Sequence, residues 1–208
     1  MLSEINPKTA RDDKVIDIDI ALVKEVIENR DRSAFTRLMG KYKNTVYAFC
    51  FRYTGDRQDA EDAAQEVFIK VYKNIGSFRG EAKFSSWLYR ITVNTCYNYV
   101  RWRKRFRLPG LIRINRDEGT DERIAVEMRD YATDPEKSFL NKELAHVIRS
   151  AVARLSGKQR SVIILKDFLD RSYEEIATIM NMSVGSVKST LSRGRLKVAN
   201  EIKEYDRL

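Results

Sequence analysis

Apolar residues recur along this chain at intervals of three and four, and no stretch alternates convincingly over the length of a strand pair, so the pattern predicts an all-α protein. The first eighteen or so residues, with Pro7 and mixed charges, read as a loose tail, followed by a helix over about Asp19 to Asn29. From Ser33 onward, Phe35, Leu38, Tyr42, Val46, Phe49 and Tyr53 keep to one helical face until Gly55-Asp56 breaks it. A third helix is expected over about Gln58 to Ile75, its buried stripe formed by Ala60, Ala63, Ala64, Val67, Phe68, Val71 and Ile75. Gly76 to Ser85 reads as a loop carrying Gly80, and a fourth helix runs from about Trp87 to Arg105, with Pro109-Gly110 beyond it. Residues 108–133 mix charges and glycines with few aromatics and read as a flexible linker, with a short helical piece at Glu122 to Arg129. Asp134-Pro135-Glu136 then opens a second domain, with helices near Glu136 to Leu155 and Gly157 to Asp167 and a closing helix pair. The expected organisation is a tail (1–18), a first helical domain (19–107), the linker (108–133) and a second helical domain (134–208).

The closing pair is the most specific pattern in the chain. Ser172-Tyr173-Glu174-Glu175 is a capping box, in which a serine hydroxyl and a glutamate three residues on satisfy orphan amides at a helix start. Ile176, Ala177 and Met180 form the buried stripe, Asn181 suits a left-handed turn, and Met182 and Val187 complete the apolar wedge. In the next helix Val187, Leu191 and Val198 face inward, while Ser186, Ser189, Ser192 and Arg193 share the other side with Lys188 and Arg195. Short hydroxyls and arginines on one face suit a DNA major groove. The alternative is two packed helices with a solvated basic face.

Composition narrows the partners. The 208 residues are 43% hydrophobic and 33% charged, which is ordinary for soluble globular domains, and a net charge of +9 favours a polyanion. The two cysteines, Cys50 and Cys96, do not make a disulfide framework and read as small buried hydrophobes in a reducing cytoplasm. No signal peptide or membrane-length apolar run is seen.

Projection of the third helix places Asp59, Asp62, Glu66, Ile69 and Lys73 opposite the buried stripe. An acidic face with an exposed isoleucine suggests a protein partner, against the plainer reading of a solvated charged face. A metal site there is weaker still, because helical carboxylate sites draw on several helices and often a histidine, and the only histidine is His146 in the other domain. In the fourth helix Leu88, Ile91, Thr95, Tyr99 and Trp102 lie toward the core, and Arg90, Asn94, Tyr97, Asn98 and Arg101 form a polar stripe leading into Arg103 and its basic neighbours. Amides bond base edges, aromatics stack and arginines hold phosphates, so this stripe suits unstacked bases. The loop before it, with Phe78, Arg79 and Lys83, could close over one extruded base.

With these motifs in order, the chain resembles the bacterial extracytoplasmic-function sigma factors, group IV of the sigma-70 family, and is most similar to their envelope-stress, sigma-E-like branch. The resemblance is carried by Ala34-Phe35, Asp59-Ala60-Glu61-Asp62 with Gln65-Glu66-Val67-Phe68, Phe78-Arg79-Gly80, Trp87-Leu88-Tyr89-Arg90-Ile91 with Asn94, Asp134-Pro135-Glu136, Ser172-Tyr173-Glu174-Glu175-Ile176-Ala177, and Val184-Gly185-Ser186-Val187-Lys188-Ser189. It implies a region 2 helical bundle and a region 4 helix-turn-helix domain in a cytoplasmic, non-enzymatic initiation factor for stress or envelope-related genes. Asp59, Asp62, Gln65, Glu66, Phe68 and Ile69 would contact the clamp helices of core RNA polymerase, and the second domain its flap. Phe78, Arg79, Lys83, Arg90, Asn94, Tyr97, Asn98, Arg101 and Arg103 would take the single-stranded minus-ten element. Gly185, Ser186, Lys188, Ser189, Ser192, Arg193 and Arg195 would read the minus-thirty-five duplex. The linker would thread toward the RNA exit path. An anti-sigma factor, often membrane-anchored, would clamp between the domains. No catalytic residue, metal or cofactor is expected.

Three positions depart from the family pattern: Asn98 where aspartate is common, Thr190 where arginine is, and Gly194 where alanine is. The last should cost the recognition helix about 1 kcal/mol. Two other classes remain open: a stand-alone helix-turn-helix regulator, which leaves the basic-aromatic fourth helix unexplained, and a sigma mimic that binds an inhibitor without DNA. An enzyme fits least, since the chain has no nucleophile-base pair, glycine-rich phosphate loop or metal-spaced histidines.

Overall fold

The computed structural model describes residues 7–106, 145 and 147–205, with side chains over 18–105, 145 and 147–203. The expected linker, its helical piece, the Asp134-Pro135-Glu136 opening and His146 lie outside the described residues. The described residues are helical, with no strand among them.

The first domain is a bundle of four helices, α1 (Pro7–Asn29), α2 (Arg32–Thr54), α3 (Arg57–Asn74) and α4 (Phe84–Phe106), with a single 3-10 turn, Ile75–Ser77, between the last two. The expected tail is thus shorter than its sequence suggests: α1 begins at Pro7, a residue whose fixed φ suits a first helical position. The charged run Arg11-Asp12-Asp13-Lys14 hides that start, because it breaks the apolar period by which a helix is recognised.

Local chemistry sets the other boundaries. The Asp31 carboxylate accepts from the Ser33 amide and caps α2. Gly55 ends it at φ +77°, a conformation glycine adopts without steric cost, and Asp56 then caps α3 by accepting from the Asp59 amide. Leu38, Val46, Phe49, Ala60, Ala63, Val67, Val71 and Leu88 fill the space between α2, α3 and α4. Cys50 and Cys96 meet there as free thiols with their sulfurs 3.5 Å apart, and burial pushes the Cys96 thiol up from its ordinary ionisation range.

Helix α1 is fastened to α2 by a buried carboxylate. Asp19 accepts from the Tyr42 hydroxyl and from Lys41 Nζ at 2.6 Å. Burial, and then this hydrogen bond, push the Tyr42 phenol up from its ordinary range. Removing the acceptor leaves a buried hydroxyl unpaired, so Asp19→Ala is expected to cost about 2 kcal/mol, read by calorimetry as a thermal midpoint lower by about 4–8 °C.

The second domain contains α5 (147–154), α6 (Gly157–Ile163) running into a π-helical turn (Ile164–Phe168), α7 (Tyr173–Met180) and α8 (Val184–Tyr205). The capping box forms as its spacing predicts, with Ser172 Oγ accepting from the Glu175 amide and Glu175 Oε2 from the Ser172 amide, both at 3.0 Å. Asn181 is left-handed, φ 51° and ψ 56°, and turns the chain from α7 into α8. Ile163, Ile164, Leu165, Ile176, Ile179, Val187 and Leu191 form the core of this domain, which joins that of the first.

Candidate nucleic-acid interfaces

Helix α3 presents an outward strip of Asp62, Gln65, Glu66 and Ile69, with Lys73 beyond it, all exposed, while Phe68 packs partly into the core. Asp62 accepts from the Tyr99 hydroxyl at 3.2 Å, and Glu66 pairs with Lys70 one turn on. Asp59 departs from the expected face. It is 7% exposed, accepts from the Tyr99 hydroxyl at 3.3 Å and is ion-paired to Arg103, because the end of α4 crosses the first turn of α3. Tyr72 was not singled out by sequence and is 52% exposed, one turn beyond Ile69, with its ring edge-on to Phe35 at 5.0 Å. The spacing of three from Ile69 was the signal for it.

On α4 the stripe Arg90, Asn94, Tyr97, Asn98 and Arg101 is exposed along one side. Thr95 and Leu88 are buried and Ile91 and Tyr99 half-buried, as the helical projection predicts, but Trp102 is 59% exposed. Arg103 takes the inward position of that last turn by pairing with Asp59, and the indole lies toward the outside of the bundle. In the preceding loop, Phe78 is partly buried and stacks edge-on to Phe84 at 5.5 Å and against Trp87 at 5.7 Å, so it anchors the loop instead of offering a ring face. Arg79 is exposed next to Gly80, whose φ of +74° makes the turn. Lys83 lies 3.6 Å from Glu175 of the second domain.

On α8, Gly185, Ser186, Lys188, Ser189, Ser192 and Arg193 are exposed, forming the expected polar face. Arg193 is folded back along the helix, with Nε donating to the Ser189 carbonyl at 3.2 Å. Lys188 stands over the Tyr173 ring at 5.3 Å. Arg195 is held differently: its guanidinium forks onto the Asp167 carboxylate of the π turn, a hydrogen bond that raises its ionisation further. Thr190 is buried, so this departure from the family pattern falls inside the domain and not on its reading face. Gly194 is buried too, and a Cβ there would lie 2.9 Å from Ile163 Cδ1. The glycine lets α8 cross α6 closely, which offsets its low helix propensity. An apolar groove of about 230 Å³, lined by Ile148, Val152, Ile163, Phe168, Val198 and Ile202, opens on the far side of the same domain.

A four-helix bundle whose fourth helix exposes amides, a tyrosine and arginines, joined in one chain to a helix-turn-helix domain whose last helix exposes hydroxyls, a lysine and an arginine, has the form of a two-domain nucleic-acid-binding protein. Residues 38–106 match the family Sigma-70 region 2, and residues 145–198 match Sigma-70, region 4. The ECF RNA polymerase sigma-E factor of Haemophilus influenzae is 38% identical over 184 residues, 88% of this chain and 95% of the relative. The ECF sigma factor SigW of Bacillus subtilis is 34% identical over 180 residues, 86% of this chain and 94% of the relative. The structure of CnrH in complex with the cytosolic domain of CnrY shares the fold, with a TM-score of 0.62 at 23% identity, over 90% of this chain and 99% of that one. RpoE of Bartonella quintana, solved in complex with the anti-sigma factor NepR, does so with a TM-score of 0.57 at 22% identity, over 81% and 96%. The chain belongs to the extracytoplasmic-function sigma factors of the sigma-70 family. It is a promoter-directing subunit that joins core RNA polymerase and is not itself an enzyme. Among the described residues no helix is long and apolar enough to cross a membrane.

Proposed function

We propose a division of labour along the chain in which the Asp62, Gln65, Glu66, Ile69 strip docks on the polymerase clamp, α4 and its loop hold the melted minus-ten strand, and the polar face of α8 reads the minus-thirty-five duplex. Asp59 and Phe68 support the first surface from beneath, Asp59 by fixing Arg103 and Tyr99. The apolar groove beside Phe168 suits a hydrophobic element of the flap. The observation that carries the reading is the exposed α4 stripe: two amides, Asn94 and Asn98, between Arg90, Tyr97 and Arg101, with Trp102 adding a ring face that duplex binding does not need. The genes served are stress or envelope-related, the protein acts in the cytoplasm where its polymerase is, and an anti-sigma factor restrains it. Support for the last is that CnrH and the Bartonella RpoE were each solved with a partner, the cytosolic domain of CnrY and the anti-sigma factor NepR. Transcription in vitro with core polymerase on fragmented genomic DNA tests the whole. RNA starts should cluster downstream of paired upstream elements that α8 variants change; starts indistinguishable from those of core polymerase alone overturn the reading.

A further inference from the structure

The chain has two cysteines in 208 residues, and the fold brings them into contact. Cys50 lies near the end of α2 and Cys96 in the middle of α4, 46 positions apart. Both are fully buried, and the Cys96 thiol donates to Cys50 Sγ at 3.5 Å. Packing accounts for each as a small apolar side chain, but alanine and valine fill the same core elsewhere, and packing does not account for the two thiols meeting. A disulfide holds its sulfurs about 2.05 Å apart, so an approach of about 1.5 Å, a small turn about the χ1 bonds, joins them.

The surroundings set how this pair reacts. The second domain seals the bundle near it. Arg160 of α6, 5% exposed, donates to the Tyr53 carbonyl at 2.8 Å, one turn from Cys50. A Cβ on Gly157 would lie 2.7 Å from the ring of Tyr97, the residue after Cys96. Further along α4, Arg90 donates to the Thr178 carbonyl at 2.8 Å and Arg171 stacks over Tyr89 at 4.9 Å. Burial therefore holds the Cys96 thiol protonated, against the charge of Lys70, which reaches the neighbouring Thr95 Oγ1 at 3.4 Å and favours the thiolate. Attack by an oxidant waits on a local opening of the bundle, which heat promotes.

We propose that Cys50 and Cys96 form a two-electron oxidation site for hydroperoxides, at which an internal disulfide ties the middle of α4 to α2. In the first step the Cys96 thiol, as its thiolate, attacks hydrogen peroxide; an S–O bond forms, the O–O bond breaks, and the departing hydroxide leaves with the thiol proton as water. The Cys50 sulfur then attacks the sulfenic sulfur; the S–S bond forms, the S–O bond breaks, and a second water carries off the Cys50 proton. Two thiols and one peroxide thus give one disulfide and two waters. Contact between the sulfurs gives the second step an effective concentration above that of any dissolved thiol or oxidant, so it outruns further oxidation of Cys96. The bond closes a long loop of the chain and removes conformations from its unfolded state, so the oxidised bundle is harder to melt. A dithiol reductant reverses it, as befits a transient bond in a reducing compartment. Neither the pairing nor its consequence depends on which face of the chain meets DNA.

The test exposes the full chain, reduced and freed of reductant, to hydrogen peroxide, once in the cold and once a few degrees below its thermal midpoint. Unfolding in iodoacetamide and peptide mapping then read each cysteine. Wild type should yield a peptide pair joined through Cys50 and Cys96, formed faster in the warm sample and undone by dithiothreitol. Its thermal midpoint should rise by about 5 °C or more over the reduced form, with peroxide-treated Cys50→Ala as the control for methionine oxidation. In Cys50→Ala and Cys96→Ala the remaining thiol has no partner and should end as sulfinic or sulfonic acid. Two alkylated thiols in wild type after warm exposure, at a dose that oxidises the single thiol of either variant, overturn the site, as does sulfinic acid in place of the disulfide. A disulfide without a higher midpoint overturns the tie between α2 and α4. If the alanine variants fail to fold, the wild-type peptide map at the warm exposure decides alone.

Discussion

Replacing Asp62 and Glu66 together by arginine is expected to weaken binding to core RNA polymerase by about 100-fold or more, while the thermal midpoint falls by only a few degrees. Both carboxylates are exposed on the outer strip of α3, and neither supports the core. Asp62 gives up one hydrogen bond from Tyr99, and Glu66 gives up a surface pair with Lys70 that contributes about 0.5 kcal/mol or less. At a docked interface the same change turns two attractions into two like-charge contacts, which cost several kcal/mol, and a factor of 100 needs only about 2.7 kcal/mol. Titration of labelled core enzyme with wild type and double variant measures it, with circular dichroism as the fold control. Wild-type affinity in the folded double variant removes the clamp from this face. Tyr72→Ala is a gentler companion, because it removes apolar area from the same strip without changing charge.

The contrast between Asp59 and Asp62 shows what the sequence could and could not say. Helical projection assigns a direction to a side chain but cannot tell whether another helix crosses there, and the end of α4 crosses at Asp59 only. Trp102 and Arg103 exchange their expected places for the same reason. A buried carboxylate nearby makes an arginine the better inward residue, a pairing that no period in α4 reveals. By contrast, Gly55, Ser172, Glu175 and Asn181 act on the backbone within a few residues of themselves, and each does in the fold what its position in the sequence predicts; Asp56, read in sequence only as part of the break after the second helix, also caps the third. The candidate reading strips were legible because amides, hydroxyls and arginines recur there at helical spacing.

The docking of the domains left only faint traces in the sequence. Its makers are Arg160, Arg171, Arg90 and Gly157, and three of these look in sequence like cations meant for solvent or phosphate. Of the three arginines, Arg160 alone carried a signal: it begins the run Arg160-Ser161-Val162-Ile163-Ile164-Leu165, where a charge can be buried only if carbonyls or carboxylates receive it. Gly157 gave a weaker one, since glycine in the first turn of a helix lowers stability unless something approaches closely. The missed departures on α8 follow suit. Thr190 stands where the family commonly has arginine and Gly194 reads in sequence as a loss of helix stability, and in the fold both are buried, Gly194 where α8 approaches Ile163.

The two proposed DNA-reading faces should separate cleanly under single substitutions. Arg193 is exposed on α8 and, among the described residues, is held by its own helix, so it can swing from the Ser189 carbonyl to a base edge with little reorganisation. If it makes a bidentate base contact there, Arg193→Ala weakens binding to an upstream duplex by about 1–3 kcal/mol. Asn94 is exposed on the α4 stripe, and its amide can both donate to and accept from an extruded base. Asn94→Ala is therefore expected to leave duplex affinity within about twofold of wild type and to reduce strand opening by a similar 1–3 kcal/mol, because opening is the step in which that base leaves the stack. Permanganate, which oxidises unstacked thymines, reads the second effect on polymerase–promoter complexes, and a mobility shift with duplex reads the first. In the Arg193 variant, reactivity should recover when protein is raised to restore occupancy; in the Asn94 variant it should stay low at full occupancy. Loss of duplex binding alone in both variants would remove single-strand capture from α4, and loss of opening alone in both would remove the duplex contact from α8.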